Sequence, residues 1–318
     1  LRSAPNRRLG RITDCGLAAL VAVALWACTT TGGGAAHAQP LLWRAQAPHA
    51  GTIYLLGSVH LGSDTLDLGP VINGAYRSAD ELVVEIDLSG VTQAQQLEVV
   101  QRYGVLPDGR TLEDVLPEAT YQRLVAYLDS RAIDRESVMR FKPWFLAFTI
   151  VQRELAAAGY QVELGIDRHF IAVATDSSKR IVGLETFDSQ LQMLEGLPEA
   201  LQGLLLEDTL VRADRLAQET SDMMDAWRRG DERKIESLVF QPLQGSEDLE
   251  PFYEAVFFER NRSMAKQLAD LAGDGKTRFV VLGAGHMVGE QGIPALLARR
   301  GYRVERVSAS DDAAARSR

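Results

Sequence analysis

Hydrophobic runs of strand length stand near both ends of the chain, and helically spaced ones fill the stretch between. Near the start, Leu41-Leu42-Trp43-Arg44-Ala45 and residues 52–56 flank His49-Ala50-Gly51, which reads as a hairpin with its turn signal at Gly51. Val71, Ile72, Ala75 and Ala79 have helical spacing and predict a helix over 69–79 leading into a strand at 82–86. Such a strand–helix–strand unit points to parallel pairing. From about 91 to 272 the spacing is mostly helical, with one credible strand at 180–184. Pro143 opens a helix through Phe145, Phe148 and Val151 to Ala158. Residues 165–175 place Ile166, His169, Phe170 and Val173 on one face, 201–227 reads as one long or broken helix, and 241–249 as a loop. The last quarter alternates again: helix 257–272, strand 277–282, helix 292–299, strand 302–307.

The fold class expected is therefore α/β (α+β), with a central mixed sheet built from the N- and C-terminal parts and a large, mostly helical middle insertion. The domain spans 39–307, and 308–318 is a polar tail.

The first 38 residues read as an export signal. Arg2, Arg7, Arg8 and Arg11 precede an apolar core at 16–28, and Ala36-His37-Ala38 is a small-residue cleavage site. The core is shorter than the roughly 20 residues of a membrane span. Leu25-Trp26-Ala27-Cys28 resembles a lipoprotein site poorly, because Trp26 is too bulky, so a periplasmic or secreted product is expected in preference to a lipid anchor at Cys28. Both cysteines, Cys15 and Cys28, fall inside the signal, which leaves no disulfide or thiol chemistry after cleavage. The chain carries a formal charge of −9, and removing four arginines with Asp14 takes it to −12. That balance argues against nucleic acid as a partner. It fits neutral or cationic ligands or peptides, so a peptide or small-molecule substrate is expected, and no segment after the signal approaches a membrane span.

The chemistry concentrates in two matching stretches. Gly57-Ser58-Val59-His60 and Gly283-Ala284-Gly285-His286 each place a histidine just past a predicted strand, and the chain has only five histidines. Glu85 sits at the end of a third apolar strand, where a carboxylate covered on both faces needs a cation or donors. Glu185 follows the fourth. If these strands run parallel, His60, Glu85, Glu185 and His286 share one edge of the sheet, where ligands collect in such folds. Two imidazoles and a carboxylate suit a divalent metal or acid–base site. The competing reading makes each histidine a loop cap and Glu85 a salt-bridge partner of an arginine such as Arg260. Asp87 reads as a cap for the segment after it and His169 as a core histidine; Asp167 reads equally as a solvated first-turn acid or a site residue, and Glu185 equally as a cap or a site residue. A phosphate loop at Gly283-Ala284-Gly285 ranks lower, because the accompanying Lys-Ser/Thr is missing.

Gly57-Ser58-Val59-His60, Glu85, Lys142-Pro143-Trp144, Leu164-Gly165-Ile166-Asp167, Gly183-Leu184-Glu185-Thr186 with Gln190, Glu259-Arg260-Asn261 and Gly283-Ala284-Gly285-His286, taken in this order, resemble the TraB/PrgY/GumN family from about residue 42 to 307. The resemblance implies a fold related to the Tiki peptidases and the erythromycin-esterase-like proteins. It implies a metal-dependent peptidase using manganese or cobalt, zinc being the weaker candidate, with His60, Glu85 and His286 as ligands or acid–base groups. Arg260 and Asn261 match a family motif suited to an oxyanion or substrate carboxylate. The alternatives are metal-free, histidine-assisted ester hydrolysis and a binding protein that sequesters a peptide or signal without turnover.

Overall fold

A computed structural model describes residues 39–62, 68–240 and 250–308. The export signal with Cys15 and Cys28, the loop expected at 241–249 and the tail beyond 308 lie outside the described residues.

The strands are β1 (Leu42–Gln46), β2 (Ile53–Ser58), β3 (Glu81–Ile86), β4 (Arg180–Glu185), β5 (Arg278–Gly283) and β6 (Arg303–Arg306). They form one sheet in the order β4-β3-β5-β2-β1-β6. β1 pairs antiparallel with β2 and with β6, whereas β2–β5, β5–β3 and β3–β4 are all parallel. The sheet is thus mixed and is built from both ends of the chain. Leu82-Val83-Val84 and Phe279-Val280-Val281-Leu282 are buried without alternation, as strands covered on both faces must be. β5 lies between β2 and β3, so a strand from the C-terminal part of the chain sits inside the sheet between two strands from its start.

The hairpin expected at the start is present, with Leu42 opposite Leu56. Its turn is not made at Gly51: the left-handed residue is His49, with φ of 63°. Gly51 is needed for closeness, since a Cβ there would stand 1.8 Å from the Lys276 carbonyl oxygen.

The middle of the chain is helical. Pro143 opens helix Pro143–Ala157, and Thr186 caps Phe187–Glu195 through a capping box with Ser189. The stretch expected at 201–227 is broken, as helix Glu199–Arg212, a 3₁₀ turn Ala213–Arg215 and helix Leu216–Arg229. The break packs around Arg212, whose guanidinium is buried between Asp208 at 2.9 Å and Glu219 at 2.5 Å. Helix Ile166–Asp176 corrects one reading. Its buried stripe is Ile166, Phe170 and Ala174 at four-residue spacing, and His169 is turned to solvent beside the Phe170 ring. The helix expected at 257–272 starts earlier, with an α turn Glu250–Tyr253, widens into a π-helical turn, Glu254–Phe258, and continues as Glu259–Ala272. Among the described residues no helix is long and apolar enough to cross a membrane.

Candidate active site

The parallel register brings the two histidine stretches side by side. Gly57 faces Leu282 and Ser58 faces Gly283 across β2 and β5, while Val84 of β3 faces Val281. All three strands end at the same edge, and His60, Glu85 and His286 project there. The 3₁₀ turn Ala284–His286 carries the second histidine back over the strand ends.

Both rings face one carboxylate oxygen. His60 Nε2 lies 3.9 Å and His286 Nε2 3.8 Å from Glu85 Oε1. Each ring is held from behind through its other nitrogen. His286 Nδ1 lies 2.6 Å from Asn261 Oδ1, and the Asn261 amide donates to the Gln291 carbonyl at 2.8 Å, which orients its oxygen toward the ring. His60 Nδ1 stands 3.3 Å from Asp167 Oδ1, an ion-pair distance, and that buried oxygen has no hydrogen-bond partner among the described residues. With a proton on each Nδ1, both Nε2 lone pairs turn toward Glu85.

Gly283 keeps the space between them open. A Cβ there would lie 3.0 Å from His60 Nε2 and 3.2 Å from Glu85 Oε1. Gly57 is different: an added Cβ meets only ordinary contacts, the nearest being Ala284 Cα at 3.4 Å. Neither glycine has a positive φ. Of the two, only Gly283 is demanded by close approach.

Glu85 is heavily supported. Its Oε1 accepts from the Gly283 N–H at 2.7 Å, and its Oε2 from Arg260 Nη2 at 3.0 Å and Gln190 Nε2 at 3.4 Å. Arg260 also grips Glu185 through Nε at 2.9 Å and Nη2 at 2.6 Å, and donates through Nη1 to the Val256 carbonyl at 2.8 Å. One Nη1 N–H is left over. The π-helical turn carries that carbonyl and also Phe257, whose ring packs on His286 with centroids 5.3 Å apart. A wider turn is a recurrent feature near functional sites.

Electrostatics separate the three groups. Burial works to raise the Glu85 pKa, but His286, Arg260, His60 and the Gly283 N–H outweigh it and hold the carboxyl well below its usual range. Burial lowers the His286 pKa to about 4, only partly opposed by Glu85 and Glu185. Burial also pulls on His60, yet Asp167 and then Glu85 prevail and leave its pKa above 6.5. Arg260, pulled down by burial, is held up by Glu185 and Glu85. Among the described residues, Glu85, Glu185 and Asp167 are balanced by Arg260 alone within hydrogen-bonding reach, so these four leave a surplus of two negative charges when both imidazoles are neutral; Arg168 lies at the edge of the adjoining cleft.

All five expected site residues are therefore gathered at one place, and Glu185 joins them through Arg260. Arg260 is at once the salt-bridge partner of Glu85 and a member of the cluster. Asn261 has both ends of its amide engaged and acts on His286 from behind. Asp87 accepts from the Ser89 N–H at 3.0 Å, as a cap should. Glu185 does not cap the next helix, a task Thr186 performs. Asp167 had no signal in periodicity or composition, since a first-turn acid looks the same whether solvated or pointed at His60. Trp227 was likewise unreadable: its indole donates to the Gly57 carbonyl at 2.6 Å and ties the helical part to the first histidine stretch.

A family model described as TraB/PrgY/gumN family matches residues 41–306. The chain belongs to the TraB/PrgY/GumN family. Among relatives of this TraB/PrgY/GumN chain, "Uncharacterized protein YbaP" of Escherichia coli (strain K12) is 27% identical over 247 residues, covering 77% of this chain and 87% of that protein. "Metalloprotease TIKI homolog" of Amphimedon queenslandica is 23% identical, covering 85% of this chain and 62% of its own length. "Metalloprotease TIKI1" of Danio rerio is 24% identical, over 80% of this chain and 61% of its own. The TraB/PrgY/GumN chain thus spans about three fifths of the TIKI proteins it resembles. No protein of solved structure matches it.

Among the described residues no group of three or more His, Cys, Asp or Glu side chains is placed to hold a metal ion. The donor types at the trio are nonetheless those a divalent cation takes. Two ring nitrogens and one carboxylate oxygen face a space that a single Cβ on Gly283 would fill, and the carboxylates Glu85, Glu185 and Asp167 surround it. Backing each imidazole with a carboxylate or amide oxygen is the arrangement that metal-ligating histidines use.

Proposed function

We propose that this chain is an exported, metal-dependent hydrolase of the peptidase class. The observation that supports it is the pair of Nε2 atoms, each backed through Nδ1, at 3.8 and 3.9 Å from one oxygen of Glu85. The names of the TIKI relatives, metalloproteases, agree with that reading. His60 Nε2, Glu85 Oε1 and His286 Nε2 would hold manganese or cobalt, which when bound polarises a scissile carbonyl and lowers the pKa of water.

The protein's own residues do the rest. Asp167 and Asn261 keep both Nδ1 atoms protonated, so the lone pairs stay aimed inward. Gly283 holds the space open. Arg260, fixed by Glu85 and Glu185, presents its remaining N–H where an oxyanion develops, and its charge cannot be lost at working pH. Phe257 and Val256 shield that side from water, which strengthens each of these interactions.

The test is metal content and peptide hydrolysis of the purified protein, beside His60→Ala and His286→Ala variants of verified fold. Near-stoichiometric manganese or cobalt, lost in both variants together with hydrolysis, is the expected outcome. Full activity in both variants sinks the proposal. A second reading, metal-free ester hydrolysis, draws on the three donors that already occupy Glu85 and the permanent charge of Arg260 beside it. Activity that survives chelator and acts on esters would select it.

A further inference from the structure

His60 and Glu85 form a wall shared by two clefts, the first almost wholly apolar beyond the charged cluster and the second mixed, with Arg168, Asp167 and Gln190 set among the aliphatic residues Val84, Ile86, Leu88, Ile171 and Val281. The larger encloses about 940 Å³ counting its open mouth, and it is floored by Glu85, Arg260, Gly283 and His286. Its remaining lining includes Phe148, Met193, Met223, Met224, Phe252 and Val256. Apart from Thr220 and Ser58, every lining residue outside the charged cluster is apolar or glycine. Methionines make an adaptable apolar surface, because three rotatable bonds and a polarizable sulfur let them fit side chains of different shape.

The second cleft, about 450 Å³, shares His60 and Glu85 and continues past Asp167, Gln190 and Arg168. Arg168 is half-buried at its edge and, alone among the charged groups there, has no hydrogen bond or ion pair within the described residues. Its neighbour Asp167 is committed to His60. A partly desolvated guanidinium without a partner is costly, and its planar fork matches a carboxylate.

We propose that the substrate is a peptide laid across this wall, with a large aliphatic, methionine or aromatic side chain in the Met/Phe cleft on one side of the scissile bond and a carboxylate on Arg168 on the other. An acyl chain would fill the first cleft equally well, but a plain ester leaves the second cleft's cation unmatched. A peptide supplies both an apolar side chain and a carboxylate, either an acidic side chain or its own C-terminus. This rests on the hydrolase reading for its register at the trio, while binding can be read without turnover.

The experiment has a binding arm and a cleavage arm. Fluorescent heptapeptides with Leu, Met, Phe, Trp, Ala or Ser at a central position, an Asp or Asn following, and free or amidated C-termini are titrated against the full-length His60→Ala variant. The same peptides, quenched, are offered to the wild type with manganese or cobalt. Large apolar side chains are expected to gain about ten- to hundred-fold over Ala, the scale of burying such a group. Thr220→Trp, which fills the cleft, should shrink that ratio several-fold, and Met193→Ala should extend acceptance to Trp. Arg168→Ala should cost about ten-fold only for peptides carrying the carboxylate. The free-acid and amidated pairs tell side chain from C-terminus.

An apolar-to-Ala affinity ratio near one in the His60→Ala protein, or one unmoved when Thr220→Trp and Met193→Ala are each added to it in variants of verified melting temperature, overturns the proposal. So does displacement of the peptides by octanoate or its simple esters with no contribution from Arg168. If binding follows the pattern and the wild type cleaves nothing, the hydrolase reading fails and the subsites stand. If the wild type cleaves all peptides equally, the subsites fail and the hydrolase reading stands.

Discussion

Two glycines in matched sequence settings have different tasks, and that difference is testable one methyl group at a time. Gly283→Ala puts a carbon 3.0 Å from His60 Nε2 and 3.2 Å from Glu85 Oε1, so isothermal titration with manganese or cobalt should show binding lost. Gly57→Ala meets nothing nearer than 3.4 Å and should bind as the wild type does. Asn261→Leu removes the acceptor behind His286, and a loss of about 10- to 100-fold in metal affinity or kcat/KM is expected with the circular dichroism spectrum unchanged. An unaltered affinity would strip Asn261 of its positioning role. At this scale the sequence singled out residues that the fold brings together, but not which way their side chains point. Asn261 looked like an oxyanion donor because an amide at a motif position carries no sign of direction, and Asp167 could equally be read as solvated for the same reason.

Elements carry the electrostatics at the opposite end of the sheet. Glu81, at the start of β3, is buried with Arg278 at 3.0 Å, Lys276 at 2.6 Å and Arg180 at 3.1 Å. Burial alone would raise its pKa, but those three cations bring it below 4.5. A depressed folded-state pKa means the ionised form is favoured by folding, so this stability is present above the unfolded pKa and drains away as pH falls through the folded value. Glu81→Gln should therefore cost about 3 kcal/mol at pH 7, with the gap in melting temperature closing as the pH is taken below 4. Equal gaps at pH 7 and pH 3 would show that packing, not charge, is lost. Trp227→Phe tests a second link, since it removes the indole donor to the Gly57 carbonyl and should lower stability by about 1–3 kcal/mol. Helices and strands were legible from spacing because burial on one face imposes a period. The break near Arg212 and the solvent-facing His169 were not, because each depends on what packs opposite.

The whole molecule makes its site from parts far apart in sequence. β5 lies between β2 and β3 and delivers His286, so a chain ending before Arg278 leaves both inner strands with unpaired edges. Such a truncation should lack the near-ultraviolet circular dichroism of packed aromatics. A native-like spectrum would mean that the N-terminal part folds without its central strand. The large sequence separation of the β2–β5 pairs also places this contact late, after loop closure over more than two hundred residues has been met.

The sequence by itself determined which segments are strands and helices, that both chain ends enter one sheet, and that two histidines and a glutamate end three strands. These are local properties, written in hydrophobic period and in residues that recur in a family order. Only the tertiary structure decided the register that sets Ser58 beside Gly283 and the direction of Asn261. It alone decided the aim of Asp167 and the pairing of Glu185 with Arg260. Each depends on a partner tens to hundreds of residues away, and a side chain's chemistry does not say which neighbour will satisfy it.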